Sequence, residues 1–466
     1  MFQKVKNVSV ESFQLLRNLN LNLKLYFGTW AFVSLVQTPL YLSTFFLIGL
    51  WVPDEATRNT TIGLVFGLSS IIGVVGLIIS GIFSDRWRRD AFIWMGISLY
   101  IGAMVYYLFA SRIVDLYIIS ITQSVAGSLM MPAGAAMVAD CTAKGTRTRI
   151  YTLMAIIQQI FTAFGGIAGY FIFKYVGDRY EVSVIMPVIR ICAGVIIAAS
   201  IAGYFIHDKR SLQVKINEEE TVESIEEKRK NELILQKLRS CKTFKEKIHF
   251  YRTPIIIVLA DFLIAFGAGI SIPFLPRYFE DPTGSYGIRI SELTLIFTTA
   301  PLLTAVISAV ALYFGKKIGR AKAIFWIELL AVGLLFCFMI FPPLSVILVI
   351  YIFRQALMNS GWPLINAIVM DLLPSNQRAT FSAIDSLAFT AFNSISQPIG
   401  GTILDKNDYY SGFRFAFLTT GLIYFVGVVM LLFIKEGSFE TEDVESISDT
   451  IIVEEPIPVL KEKHTD

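Results

Sequence analysis

The sequence predicts an all-α integral membrane protein of twelve transmembrane helices, arranged as two pseudo-symmetric six-helix halves. Three observations predict it. Of the 466 residues, 55% are hydrophobic and only 17% charged, against roughly 25% charged in an ordinary soluble domain. The apolar residues come in blocks, not amphipathic stripes. Thr61–Phe83 and Leu116–Ala139 each run without a charge, long enough to cross a hydrocarbon core of about 30 Å as a helix. Finally, one set of residues in the first half recurs in the second half at the same spacing.

Taken in order, residues 1–25 are polar and precede the first apolar block, so they do not read as a cleaved signal peptide. The first half, 26–206, holds apolar segments at 26–51, 61–84, 91–110, 114–139, 150–176 and 182–206. A charged stretch, 207–252, carries the runs INEEE and IEEKRK and reads as a solvated, partly helical linker, with a regulatory docking site as the rival reading. The second half, 253–434, holds segments at 254–278, 292–315, 321–342, 344–370, 380–404 and 413–434. The tail, 435–466, is acidic and expected to be disordered. Within lipid the backbone must satisfy its own hydrogen bonds, which leaves helices or a closed barrel. Runs this long do not match the alternating strands of about ten residues that build a barrel.

Orientation follows from lysine and arginine. With the N-terminus inside, 30 of the 40 Lys and Arg residues fall in inner segments, eight in outer loops, and Arg190 and Arg354 within helices. Leaving out the twelve in the central linker, the ratio is still 18 to 8. Both termini are therefore expected in the cytoplasm, with the chain in the cell membrane. Cys141 and Cys241 then face the cytoplasm while Cys192 and Cys337 lie in helices, so no structural disulfide is expected. The net charge of +3 is too small to point to nucleic acid.

The repeat is specific. Pro132 precedes Asp140 by eight positions, as Pro363 precedes Asp371; Arg147 and Arg378 each follow seven positions later. Gly169 and Gly400 lie twenty-two residues beyond those arginines. A cap at the membrane surface explains one Asp–Arg pair but not the same register twice. Parallel repeats related by an axis along the membrane normal build rocking transporters, with the substrate site between the repeats.

Between segments two and three the chain reads GIFSDRWRRD, which resembles the signature loop of the major facilitator superfamily. Gly81, Asp85, Arg86 and Arg89 match that pattern, and Arg88 stands where a second glycine is usual. The equivalent loop of the second half keeps Gly319 and Arg320 but has Lys316 in place of the Asp. The resemblance implies that Asp85 helps close the cytoplasmic side against the N-terminus of helix eleven, with Asp140, Arg147, Asp371 and Arg378 beside it. It also implies that helices one, four, seven and ten line the cavity, while two, five, eight and eleven join the halves. Small residues on helix two (Gly63, Gly67, Gly73, Gly76) and helix five (Gly165, Gly166, Gly169) suit close approach. On helix eleven Ser382, Ser386, Thr390, Ser394 and Gln397 form a polar stripe. The Gly-Pro-x-x-Gly-Gly pattern of the family's drug–proton antiporters is incomplete here, where Gly165-Gly166-Ile167-Ala168-Gly169-Tyr170 stands instead.

An ionisable side chain inside a membrane helix is costly and is a functional candidate by default. Asp261 on helix seven either titrates during coupling or is a structural acid bonded to backbone or Asn366. Arg354 on helix ten either meets an anionic group or snorkels outward. Arg190 and Glu328, near helix ends, read as snorkelling side chains. Asp385 reads as part of the gate. Gln37, Gln123, Asn359 and Asn366 are candidate cavity contacts. No phosphate-binding loop, metal cluster or nucleophile–base pair appears, so an enzyme, a cofactor and a metal are not expected. The expectation is a monomeric secondary transporter of a small organic solute, coupled to protons. Drug efflux by proton antiport and a non-transporting membrane sensor on the same fold are the rivals.

Overall fold

A computed structural model describes residues 21–52, 54–83, 89–140, 144–206, 243–280, 286–362, 364–365, 368–369, 373 and 375–434. Among these the ordered elements are all helical. The first half comprises α1 (Leu21–Trp51), α2 (Arg58–Phe83), α3 (Arg89–Tyr107), α4 (Ile113–Asp140), α5 (Lys144–Val176) and α6 (Val182–Gly203). A short helix, Phe244–Phe250, leads into the second half: α7 (Arg252–Ser271), α8 (Ile290–Ile318), α9 (Arg320–Phe336), α10 (Leu344–Ser360), α11 (Ser375–Asp405) and α12 (Tyr409–Met430). A 3-10 turn, Ile272–Phe274, carries α7 on into Leu275–Glu280.

Ten of these helical stretches are long and apolar enough to cross a membrane. The two remaining positions have physical reasons. The segment expected at 344–370 is broken, since α10 ends at Ser360 and Gly361 interrupts it before helical residues resume. Helix α11 has the length, at 31 residues, but its polar stripe dilutes its hydropathy. Helix α1 starts at Leu21 and α5 at Lys144, several residues before the first long apolar runs. Of the linker only residues 243–252 are described, and the tail from 435 lies outside the described residues.

The turns α1–α2, α3–α4, α5–α6, α7–α8, α9–α10 and α11–α12 share one face, the outer one in the orientation expected from charge. Local capping orders two of its helix starts. Asp54 accepts from Ala56 N at 3.0 Å ahead of α2, and Asp408 accepts from Ser411 N at 3.1 Å at the start of α12. The bonds from Ser411 hold the Asp408 carboxyl below the usual carboxylate range, as expected for an acid at a positive helix end.

The halves join along two seams, α2 against α11 and α5 against α8. Backbone approaches backbone there. A Cβ on Gly63 would stand 2.5 Å from the Gln397 carbonyl oxygen, and one on Gly67 would stand 2.5 Å from that of Ser394. A Cβ on Gly166 would overlap the Thr298 side chain. The repeat is also visible in packing: Gly169 lies against Pro39, and Gly400 against Ile270, residues 231 positions apart in both members. At Gly319, φ is 94°, a conformation that favours glycine, so this residue turns the chain between α8 and α9.

The buried apolar core is unevenly distributed. Toward the outer face one cluster spans both halves, from Phe45 and Phe173 to Phe274, Tyr351 and Phe417. Toward the inner face it divides into two. One lies within the first half around Phe27, Ile93 and Val138; the other lies within the second half around Ile257, Ile324 and Leu364. Among the described residues, the halves are thus packed together at the outer side and separately cored at the inner side.

Candidate functional site

A cavity of about 400 Å³ opens within the first half, walled by α1 to α6. Gln37 on α1 and Gln123 on α4 both line it, together with Trp30, Tyr41, Phe66 and Tyr100. Two donors in this wall, Trp30 Nε1 and Gln123 Nε2, are buried without a hydrogen-bond partner. Buried N–H groups are nearly always paired in native structures, so these two are exceptions in the wall.

The second half holds charge at corresponding depth. Asp261 on α7 and Asp385 on α11 lie within electrostatic reach of one another, and Asp385 Oδ1 is buried without a hydrogen-bond partner. Glu328 on α9 lies within electrostatic reach of Asp261. It is 2% exposed, because bare Gly361, just past the end of α10, leaves room for its carboxylate; a Cβ there would come within 2.8 Å of Oε1. The expectation that Glu328 snorkels is therefore corrected. Arg354 is also 2% exposed, which rules out the snorkelling reading for it. Its Nη1 donates to Gln355 Oε1 at 2.8 Å, and its guanidinium lies 5.5 Å from the Tyr424 ring centroid. Its Nε and Nη2 have no partner. Asp385 stands near Asp261; most of the gate residues it was expected to join lie outside the described side chains. Arg190 is exposed, in keeping with a lipid-side position.

Other expected site residues fall as follows. Asn359 is exposed, and its Nδ2 donates to the Gln355 carbonyl of its own helix at 2.8 Å. Asn366, Asp85, Arg86 and Asp371 lie outside the described residues. Gly81, Arg89, Asp140, Arg147 and Arg378 sit on described helices, with their side chains outside the description. Gly319 and Arg320 form the α8–α9 corner. Among the described residues no cluster of three or more His, Cys, Asp or Glu could hold a metal.

The structure adds an outer seal that sequence reasoning missed. At the end of α11, Asp405 accepts from Asn59 N and Nδ2, both at 2.9 Å, and from Thr60 N at 2.7 Å. Just beyond α5, Asp178 accepts from Ser291 N at 3.0 Å and Ser291 Oγ at 2.7 Å. Each carboxylate thus caps the first turn of a helix in the opposite half, α2 or α8, where orphan N–H groups and the helix dipole favour an anion. Tyr180 O–H donates to the Ile288 carbonyl across the same seam. Burial first, then the nearby carboxylates of Glu280 and Asp178, push this phenol well above its usual range, so it remains a donor. Tyr41 O–H reaches the Pro273 carbonyl at 3.3 Å. The signal was near at hand, since an acid ends each of two repeat-related segments. But a strict 231-residue register pairs Asp405 with Lys174, not Asp178.

Two six-helix halves meeting on two seams, with a polar cavity and buried charge between membrane-spanning helices, define a polytopic transporter fold. The family model of the Major Facilitator Superfamily matches residues 25–260 and 257–459, and the chain belongs to that family. Solved structures share the fold at low identity. A D-xylose-proton symporter matches at TM-score 0.66 and 14% identity, covering 93% of this chain and 99% of its own. A bacterial homologue of the human lysosomal transporter Spinster, inward-facing and unoccupied, matches at 0.63 and 12%, covering 90% and 98%. A nucleoside transporter matches at 0.62 and 12%, covering 89% and 100%. No curated protein sequence matches this chain.

Proposed function

We propose that this protein is a monomeric secondary transporter of the cell membrane, with both termini cytoplasmic, that moves a small organic solute by alternating access coupled to protons. The Asp261–Asp385 pair carries the reading. Two carboxyl groups this close in a bundle interior favour holding a proton between them, because two adjacent carboxylates repel. Losing that proton splits the pair and pushes α7 and α11 apart. Helix α11 also forms a seam with α2 of the other half, so this local separation is passed to the joint between the halves. The sealed outer face and the divided inner core support an inward-facing starting state, in keeping with the arrangement of the solved Spinster homologue.

Counterflow in proteoliposomes, with a panel of solutes and with or without a pH gradient, tests the proposal. Asp261→Asn is expected to abolish the pH dependence of uptake while leaving solute exchange in place. Survival of the pH dependence would make Asp261 a structural residue. If no solute exchanges and no proton moves, the protein is not a transporter and the sensor reading takes its place.

A further inference from the structure

We infer that the α1–α6 cavity receives a neutral, polyhydroxylated solute, such as a sugar, a polyol or the ribose end of a nucleoside. The inference rests on the transporter reading and deepens it. Its volume, about 400 Å³, is within the range of ordinary small-molecule pockets. Among the described residues, no Asp, Glu, Lys, Arg or His lines it. An organic ion brought to this depth would lose its hydration without meeting a countercharge, at a cost of several kcal/mol. The described buried charges that could meet one, Asp261, Glu328, Arg354 and Asp385, are in the other half.

The wall is not merely polar; its donors and acceptors are set by its own bonding. The Thr29 hydroxyl spends its proton on the Leu25 carbonyl at 2.9 Å, and Ser70 spends its own on the Phe66 carbonyl at 2.9 Å. Ser69 does the same with Val65. Each hydroxyl then turns only lone pairs to the cavity. Donors on the same wall are carried by the Gln37 and Gln158 amides and the Tyr100 hydroxyl. A ligand must therefore both donate and accept, which hydroxyl groups do and esters, ketones or hydrocarbons do not. The aromatic faces of Trp30 and its neighbours suit the C–H faces of a sugar ring.

Gly127 offers a test that leaves these groups alone. It lines the cavity, and a Cβ there would meet nothing within 4 Å. Gly127→Val should fold normally, since it removes a helix-interior glycine and fills empty space. The wild-type protein in vesicles would be tested with D-glucose, D-sorbitol and uridine, and with lactate and tetraethylammonium as charged controls, by counterflow and by Trp fluorescence. Exchange of at least one neutral solute, with neither ion exchanged, is expected. Gln123→Leu should weaken its binding about tenfold, the loss of one hydrogen bond of about 1.4 kcal/mol. Gly127→Val should exclude the larger neutral solutes before the smaller. Exchange of either ion with silence from the neutral solutes overturns the inference and leaves the transporter reading intact. Neutral exchange unaffected by both variants also overturns it, because the solute then travels elsewhere. Silence from the whole panel overturns it too; proton movement in the same vesicles, driven by any other solute, separates that outcome from failure of the transporter reading.

Discussion

At the scale of single residues, the ionisable groups of the second half divide by what they touch. Asp261 and Asp385 lie within electrostatic reach of each other, and Asp385→Asn is expected to match Asp261→Asn in flattening the pH profile of uptake, since either change leaves one carboxyl with a partner that needs no shared proton. Uptake by Asp385→Asn that still tracks pH would break the pairing argument. Glu328 and Arg354 are buried with unmet polar atoms, and groups of that kind are costly when isolated. Each of the four was legible in the sequence as a charge inside an apolar segment. Their partners were not. Pairing depends on how α7 and α11 are rotated about their axes, and the burial of Glu328 depends on a glycine 33 positions away, just past the end of a neighbouring helix.

At the scale of elements, the seams are set by glycine. Because Gly63 and Gly67 stand within 2.5 Å, counted from a notional Cβ, of carbonyl oxygens on α11, Gly67→Leu forces α2 and α11 apart. Overpacking of this kind costs about 1–3 kcal/mol, so a lower melting temperature in detergent is expected, with a larger drop than for Gly102→Leu, where a Cβ meets nothing within 4 Å. Equal melting temperatures for the two variants would mean that the seam is slack. The helices themselves were readable from apolar runs, and their ends were not. Helix α11 gains five residues at its start and α5 gains six over the expected bounds, because polar residues extend a helix beyond the apolar block that a lipid requires. The break after Ser360 was hidden too, since one glycine within an apolar run does not announce a stop.

At the scale of the whole molecule, the outer face is closed by two carboxylates reaching across the halves. Opening that face must free Asp405 from three N–H donors and Asp178 from its Ser291 partners. Asp405→Asn weakens this seal, and bonds to a charged group contribute about 1.5–3 kcal/mol, so the outward-open population should rise roughly tenfold or more. Labelling of a cysteine placed at Thr402 by a membrane-impermeant maleimide would show it, and unchanged labelling would remove Asp405 from the gate. A cysteine pair at Thr60 and Thr402, whose hydroxyls are 3.3 Å apart, should lock the face when oxidised and stop transport until reduced. The twofold plan of the molecule was visible in the Pro–Asp–Arg–Gly register; its outer seal escaped because the second pair of acids is four positions out of that register.

Among the described residues the cavity is lined by α1–α6, and the neighbouring carboxyls stand on α7 and α11. Recognition and energy input then reside on separate stretches of the chain, joined by the 207–252 connection. A graft of residues 26–206 from a relative with another specificity, made at that connection, would be a way to exchange the cargo while keeping the drive. The surfaces that such a chimera must match include the α2–α11 and α5–α8 seams and the two acid caps.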